Sequence, residues 1–284
     1  MILAVARFTF REAVRKKMVL GGVLLSLGFL ALYALGSYLA YADYARDLNR
    51  GGAASGQMMS VRPLIATMLA LAGLYVVNFL AGALAIFTAV GTIASEIESG
   101  TLHAILPKPI RRWEVLLGKW LGYAVMLVTY QLTMGGSVLL IVLWTWGEAL
   151  PQPLLGLSLL ALSTLLLLSL TILGSTMMTV LANGIVVFML YGVGLMGGLV
   201  EQLGSLVRNE TMVNLGIASS LIIPSDVLWK MGSYVMQPQD VVAQAITTPF
   251  FGSSPPSPTM IVYAIAYTVL AMSLAAAIFN RRDL

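Results

Sequence analysis

Residues 154–200 run for 47 positions without one charged side chain. As a single helix, at about 1.5 Å per residue, that stretch would reach roughly 70 Å. The hydrocarbon core of a bilayer is only about 30 Å thick. The Asn183-Gly184 pair is a turn signal near the middle, and dividing there gives spans at residues 154–182 and 184–200, the second of them short. Four more apolar runs of the required length, about 20 residues, lie at 18–42, 64–94, 116–146 and 260–279. A water-soluble domain carries about a quarter charged residues, whereas this 284-residue chain carries 10% and is 59% hydrophobic. Lipid is the solvent that such a composition fits. The expected fold class is an all-α integral membrane protein, with six transmembrane helices forming one domain over residues 1–284.

Charge placement sets the expected orientation. With the N-terminus inside, the cytoplasmic segments are 1–17, 95–115, the turn at 183 and 280–284, and Lys119 is counted with them. They hold 11 of the 16 Lys and Arg residues, against 5 outside, and an excess of bases marks the cytoplasmic side. Both termini are then cytoplasmic, and a prokaryotic plasma membrane is the expected location. A cleaved secretory signal competes for residues 1–42, where Leu39-Ala40-Tyr41-Ala42 resembles a cleavage site. Its apolar run of 25 residues exceeds the roughly 7–15 of a signal core, so a first span is the better reading. The net charge of +4 is thus topological and implies no nucleic-acid partner. With no cysteine and His103 as the single histidine, neither thiolate chemistry nor a bound metal is expected. The sixteen methionines read as filling between helices in lipid.

Residues 1–17 form more than a basic tail. On a helix, Ile2, Leu3, Ala6, Phe10, Ala13 and Val14 share one side while Arg7, Arg11 and Arg15 line the other; Val5 and Phe8 break the pattern. This predicts a helix lying in the headgroup plane with its cations toward anionic lipid. Outside, residues 43–63 read as a polar, glycine-rich loop. Residues 201–259 carry six prolines around an apolar stretch at 212–223, which is too short to span and suits an interfacial or re-entrant element.

Between the second and third spans lies the segment most suggestive of function. Gly100-Thr101 stops one helix and starts another, Leu102, Ile105 and Leu106 form a short apolar face, and Pro107 and Pro109 end that helix. A second short helix then begins near Ile110, with Trp113, Leu116 and Leu117 on one face and Arg111 and Arg112 beside it. An apolar ridge rimmed by cations suits docking of a water-soluble partner; an ordinary loop with topological charge is the plain alternative.

The pattern Glu96, Gly100-Thr101-Leu102, Ile105-Leu106, Pro109-Ile110, Arg112, Leu117-Gly118-Lys119 resembles the cytoplasmic segment of ABC-2 type transporter permeases. The basic N-terminal segment, the six-span plan and the tail Ala277-Ile278-Phe279-Asn280-Arg281-Arg282 are similar too. Pro224-Ser225-Asp226 followed by Leu228 resembles an element of the permeases that serve nitrous-oxide-reductase maturation. The resemblance implies a permease without catalytic residues or cofactor of its own, paired with a second copy, identical or not. Two separate ATP-binding subunits would hold ATP and magnesium. Glu96, Glu98, Gly100, Thr101, Leu102, Ile105, Leu106, Pro109, Arg111, Arg112, Gly118 and Lys119 would form the ATPase-docking segment, with residues 96–106 as the coupling helix. Gly194 and Gly198, a small-xxx-small pair in the fifth span, are candidates for the interface with the second copy.

The residues themselves agree with an outside energy source. Gly118-Lys119 is followed by Trp120, and Trp113 stands where a phosphate loop requires glycine; Lys119 is expected to snorkel to the headgroups. A secondary transporter or channel is the main rival. Ion coupling generally uses ionisable groups within the membrane, yet no Asp, Glu, Lys or Arg lies near the centre of any predicted span, where Asn78, Gln131, Thr133 and Ser175 are polar without being titratable. An intramembrane enzyme is disfavoured because Glu96 and Glu98, at i and i+2, do not face each other on a helix. The expected cargo is an amphiphilic or lipid-like compound, with export the expected direction. Mechanical signalling without cargo is the further alternative.

Overall fold

The computed structural model describes residues 1–50, 55–94, 111–238 and 257–281. Among these, every regular element is a helix: α1 (Ile2–Arg15), α2 (Lys17–Arg50), α3 (Ser55–Ala89), α4 (Arg112–Trp146), α5 (Pro153–Met177), α6 (Val180–Val207), α7 (Glu210–Ile222), α8 (Ser225–Val235) and α9 (Thr259–Arg281). Six of them, α2 to α6 and α9, are long and apolar enough to cross a bilayer. The most apolar stretches of α3 and α5 are 61% and 72% buried, against 11% for α2. The bundle is therefore built around α3 and α5, and α2 is its least buried, peripheral helix. The coupling-segment positions Glu96, Glu98, Gly100, Thr101, Leu102, Ile105, Leu106 and Pro109 lie outside the described residues.

The break in the long uncharged run falls at Met178 and Thr179, not at the Asn183-Gly184 pair, which lies inside α6. The local turn preference is overridden by packing. The Asn183 amide donates to the carbonyls of Val90 and Thr171, each at 3.0 Å, and Gly184 lets Val90 approach closely. The loop expected at 43–63 is also largely helical, because α2 continues to Arg50 and α3 begins at Ser55. Polar residues are no obstacle to a helix once it has left hydrocarbon. Asp43 and Arg46 pair at 3.0 Å along α2, and Tyr41 and Tyr44 pack on Trp146 at ring separations of 5.6 and 5.5 Å.

Helices α2, α3 and α4 have 34, 35 and 35 residues, about 50 Å each, whereas α5 and α9 have 25 and 23, about 35 Å. Gly135 of α4 meets Leu157, near the start of α5, so residues 136–146 of α4 rise past that start by about two turns. The extended end is closed by Trp146, which is buried and donates through Nε1 to Ser37 at 3.2 Å. Arg62 donates to the Trp146 carbonyl at 2.8 Å and pairs with Glu148 at 3.4 Å. Gly147, at φ +67°, ends α4 in the left-handed conformation.

At the other end, α1 turns into α2 through Lys16, whose extended backbone (ψ 132°) separates the two helices. Its buried face is Ile2, Val5, Ala6, Thr9, Phe10 and Ala13, while Leu3, Phe8 and Val14 are exposed. Val5, an exception to the expected pattern, is thus a contact residue, and Leu3 and Val14 are free for lipid. Apolar spacing alone cannot separate these roles, since lipid and protein both accept apolar side chains. The seat for α1 is the Gly118/Gly122 pair on α4. A Cβ on Gly118 would come within 2.7 Å of Val5, and one on Gly122 within 2.7 Å of the Ala6 carbonyl and 2.8 Å of Thr9. Lys16 donates to the Tyr123 hydroxyl at 3.2 Å and pairs with Glu12 at 3.5 Å. Its ammonium is held above the ordinary lysine range: burial opposes the charge, but the Tyr123 oxygen and the Glu12 carboxylate outweigh it.

Gly122→Leu is expected to unseat α1 while leaving the spans inserted. In an Ala13→Cys background, position 13 being fully buried, maleimide should label the thiol slowly with Gly122 present and rapidly in the Leu variant. Equal labelling of both would show that α1 does not depend on that seat.

Candidate functional site

The chain leaves α3 and re-enters α4 on the two sides of segment 95–110, and the described residues on both flanks are tied down by side chains. A helix ends with unpaired carbonyls, and inside a lipid-surrounded bundle water is scarce to satisfy them. Here Asn183 of α6 donates to Val90 O, and Lys119 of α4 donates to Thr92 O at 2.8 Å. The Ser175 hydroxyl of α5 accepts from the amides of Ile93 and Ala94, at 2.9 and 3.1 Å. Ser175 and Asn183 are fully buried. Lys119, expected to reach for headgroups, instead caps the end of α3, because its stem leads over α4 straight to an orphan carbonyl.

On the other flank, Arg111 precedes α4 and is exposed. Arg112 donates to the Phe279 carbonyl at 3.3 Å, in the last turn of α9. One turn or two further along α4, Gly118 seats α1 and the Trp120 indole donates to Ser169 of α5 at 2.8 Å. Of the residues singled out in the sequence, the structure thus brings Arg112, Gly118 and Lys119 to one end of the bundle, each with a different helix as its partner. Ser175 and Asn183 were not identified there as anchors. Part of the signal was present: Asn183 is the one carboxamide of the uncharged stretch 154–200, where an unsatisfied polar group is expensive, whereas Ser175 is one of several hydroxyls there and does not stand out.

Gly194 and Gly198 face inward. Gly194 lies against Ile223 and Ser225, and a Cβ on Gly198 would run into the Asp226 carboxylate. That space admits a charged cluster that the sequence reading did not assemble. Lys230 pairs with Glu201 at 2.7 Å and with Asp226 at 2.8 Å, joining α6 to α8. Asp226 and Lys230 stand at i and i+4 on an 11-residue helix bounded by prolines, a spacing that could have revealed the pair. Helices α7 and α8 meet at 105°. The polar groups at that bend are partly met by Ser163, which donates to the Ser225 carbonyl at 3.2 Å. The corner into α7 is made by Arg208 at φ 57° and by Asn209, whose side chain accepts from the amides of Thr211 and Met212.

A bundle of six apolar helices long enough to cross a bilayer, an amphipathic helix seated on one end and a bent helix pair beside the fifth crossing define an all-α, multi-pass integral membrane protein. The family profile described as ABC-2 family transporter protein matches residues 3–284, and the chain belongs to that family. It is also similar to the probable ABC transporter permease protein NosY of Pseudomonas aeruginosa, with 36% identity over 108 residues. That stretch spans 37% of this chain and 38% of the relative's length.

Ser175→Ala strands two buried amides and is expected to cost about 1–3 kcal/mol of stability. Ser158→Ala, which removes an exposed hydroxyl bonded only within its own helix, should change stability by less than about 0.5 kcal/mol. Denaturant unfolding in detergent compares the two. Equal stability would mean that Ser175 is not an anchor.

Proposed function

We propose that this chain is the permease subunit of an ATP-binding cassette transporter, driven by ATP that a separate subunit hydrolyses. The observation that carries the reading is the anchoring on both flanks of segment 95–110. Side chains of α4, α5 and α6 hold its leading end, and Arg112 ties its trailing end to α9. A load applied to that segment would reach four crossings through hydrogen bonds, which is what a docking segment has to do. Membership of the ABC-2 family and the partial identity to a permease support the same reading.

In this proposal the segment docks two ATPase copies across a pair of permeases, identical or not, in a prokaryotic plasma membrane, with both termini cytoplasmic. ATP-driven closure of the ATPases pushes the docking segments, and the anchors pass the displacement to the helices around the transport path. The cargo is an amphiphilic or lipid-like compound, and its movement is outward. Gly194 and Gly198 are filled from within the chain, so the second copy meets the opposite face of α6, where Leu181, Ile185, Met189 and Met196 are exposed.

Co-expression with a candidate ATPase and purification through this chain is the test. Leu102→Asp or Leu106→Asp should abolish co-purification of the ATPase. Asn183→Leu should retain the complex and lower ATP-dependent transport severalfold. Retention of the ATPase by the Asp variants would overturn the docking assignment. The chain has no native cysteine, so Met189→Cys offers a clean second check: oxidative cross-linking should yield permease dimers, and monomers alone would remove that face from the interface.

A further inference from the structure

Between the first turns of α4 and the last turns of α9 lies a cleft of about 350 Å³, walled by Trp113, Leu117, Trp120, Val269, Met272 and Ala276. From Trp113 to Trp120 along α4, or from Thr268 to Ala276 along α9, the slot runs about 10–12 Å parallel to the helix axes. One leaflet of a bilayer has about 15 Å of hydrocarbon, so the cleft covers most of that depth. Its polar wall groups already have hydrogen-bond partners. Thr268 donates to Ala264 O and Ser273 to Val269 O, both at 2.8 Å, and the Trp120 N–H is held by Ser169. An occupant therefore finds apolar contact there and little hydrogen bonding.

The mouth has the opposite character. The bond from Arg112 to Phe279 O brings the start of α4 to the end of α9. Arg111 and Arg281, flanking that junction, are both exposed. Glu114 is the acid of the first turn of α4, so among the described residues cations outnumber acids at this rim. Guanidinium groups match phosphate oxygens in shape and charge.

We infer that the α4–α9 cleft binds an anionic phospholipid of the leaflet on the side of the chain termini. One acyl chain lies between Trp113, Trp120 and Met272, and the phosphate is held by Arg111 and Arg281. The site needs only the membrane-spanning fold and is independent of the ATPase reading. It also gives the bound lipid a position: it leans on α4 and α9, the helices joined at the trailing flank of segment 95–110.

Tryptophan quenching tests the site directly, because two of the five tryptophans line the cleft. The full chain is reconstituted into phosphatidylcholine vesicles that contain increasing fractions of either brominated-acyl phosphatidylglycerol or brominated-acyl phosphatidylcholine. With two cations at the mouth, each favouring an anionic lipid about fivefold, the phosphatidylglycerol probe should quench with about thirtyfold higher relative affinity. Arg111→Gln with Arg281→Gln should bring that ratio close to one, and Ala276→Phe, which fills the slot, should weaken quenching by both probes. The preference should also vanish when Trp113→Phe and Trp120→Phe remove the reporters. Equal quenching by both lipids in the unaltered chain, or a preference that survives loss of the two tryptophans, would overturn the inference. Unchanged helical circular dichroism across the variants confirms that each comparison is made on folded protein.

Discussion

A transmembrane helix that stops inside its bundle must find partners for its last backbone groups without help from water. The end of α3 does so with Ser175, Asn183 and Lys119, and the rest of this molecule is organised around that closure. The three side chains stand on three different helices, so satisfying one helix end fixes the relative height of four. Because α3 and α5 form the buried centre of the bundle, the outer helices inherit their register from that pair. Net hydrogen-bond energies of about 1 kcal/mol each are modest, but the cost of leaving these groups unpaired in an apolar setting is larger. Specificity of register follows from that asymmetry.

The two ends of the bundle solve different problems. At the end that carries the termini, single side chains reach backbone groups of neighbouring helices, and the Gly118/Gly122 pair on α4 admits an amphipathic helix at close range. At the opposite end, aromatic packing closes α2 onto α4 around Trp146, and the bent α7–α8 pair is pinned to α6 by the Lys230 ion pairs with Glu201 and Asp226. Two acids around one lysine, mostly buried, hold only as a set, since removing one partner leaves a charge without compensation. The small residue at 198 is what makes room for that set.

The six crossings and their helical nature were legible from apolar run length and missing charge alone, because hydrocarbon thickness imposes them. So was the amphipathic start of the chain. Boundaries were less legible wherever local preference and packing disagreed. Asn183-Gly184 reads as a turn in isolation, yet a distant carbonyl at Val90 recruits it into a helix. Residues 43–50 read as loop because they are polar, yet α2 continues to Arg50, since outside hydrocarbon polarity does not oppose a helix. The motif residues Gly118 and Lys119 were recognised by pattern. Their physical uses, a seat for α1 and a cap for α3, depend on residues about 113 and 27 positions earlier in the chain, which no local reading supplies.

The seat of α1 carries a consequence for how the protein is made. Lys16 and its partner Tyr123 are separated by 107 residues. At synthesis rates of about 5–20 residues per second, the first helix leaves the ribosome roughly 5–20 s before its docking surface exists. During that interval it has only the bilayer surface to rest on, and its exposed Leu3, Phe8 and Val14 together with Arg7, Arg11 and Arg15 equip it for that wait. The amphipathic character of the segment is therefore a provision for biogenesis as much as for the finished structure: the helix is parked on lipid first and claimed by protein later.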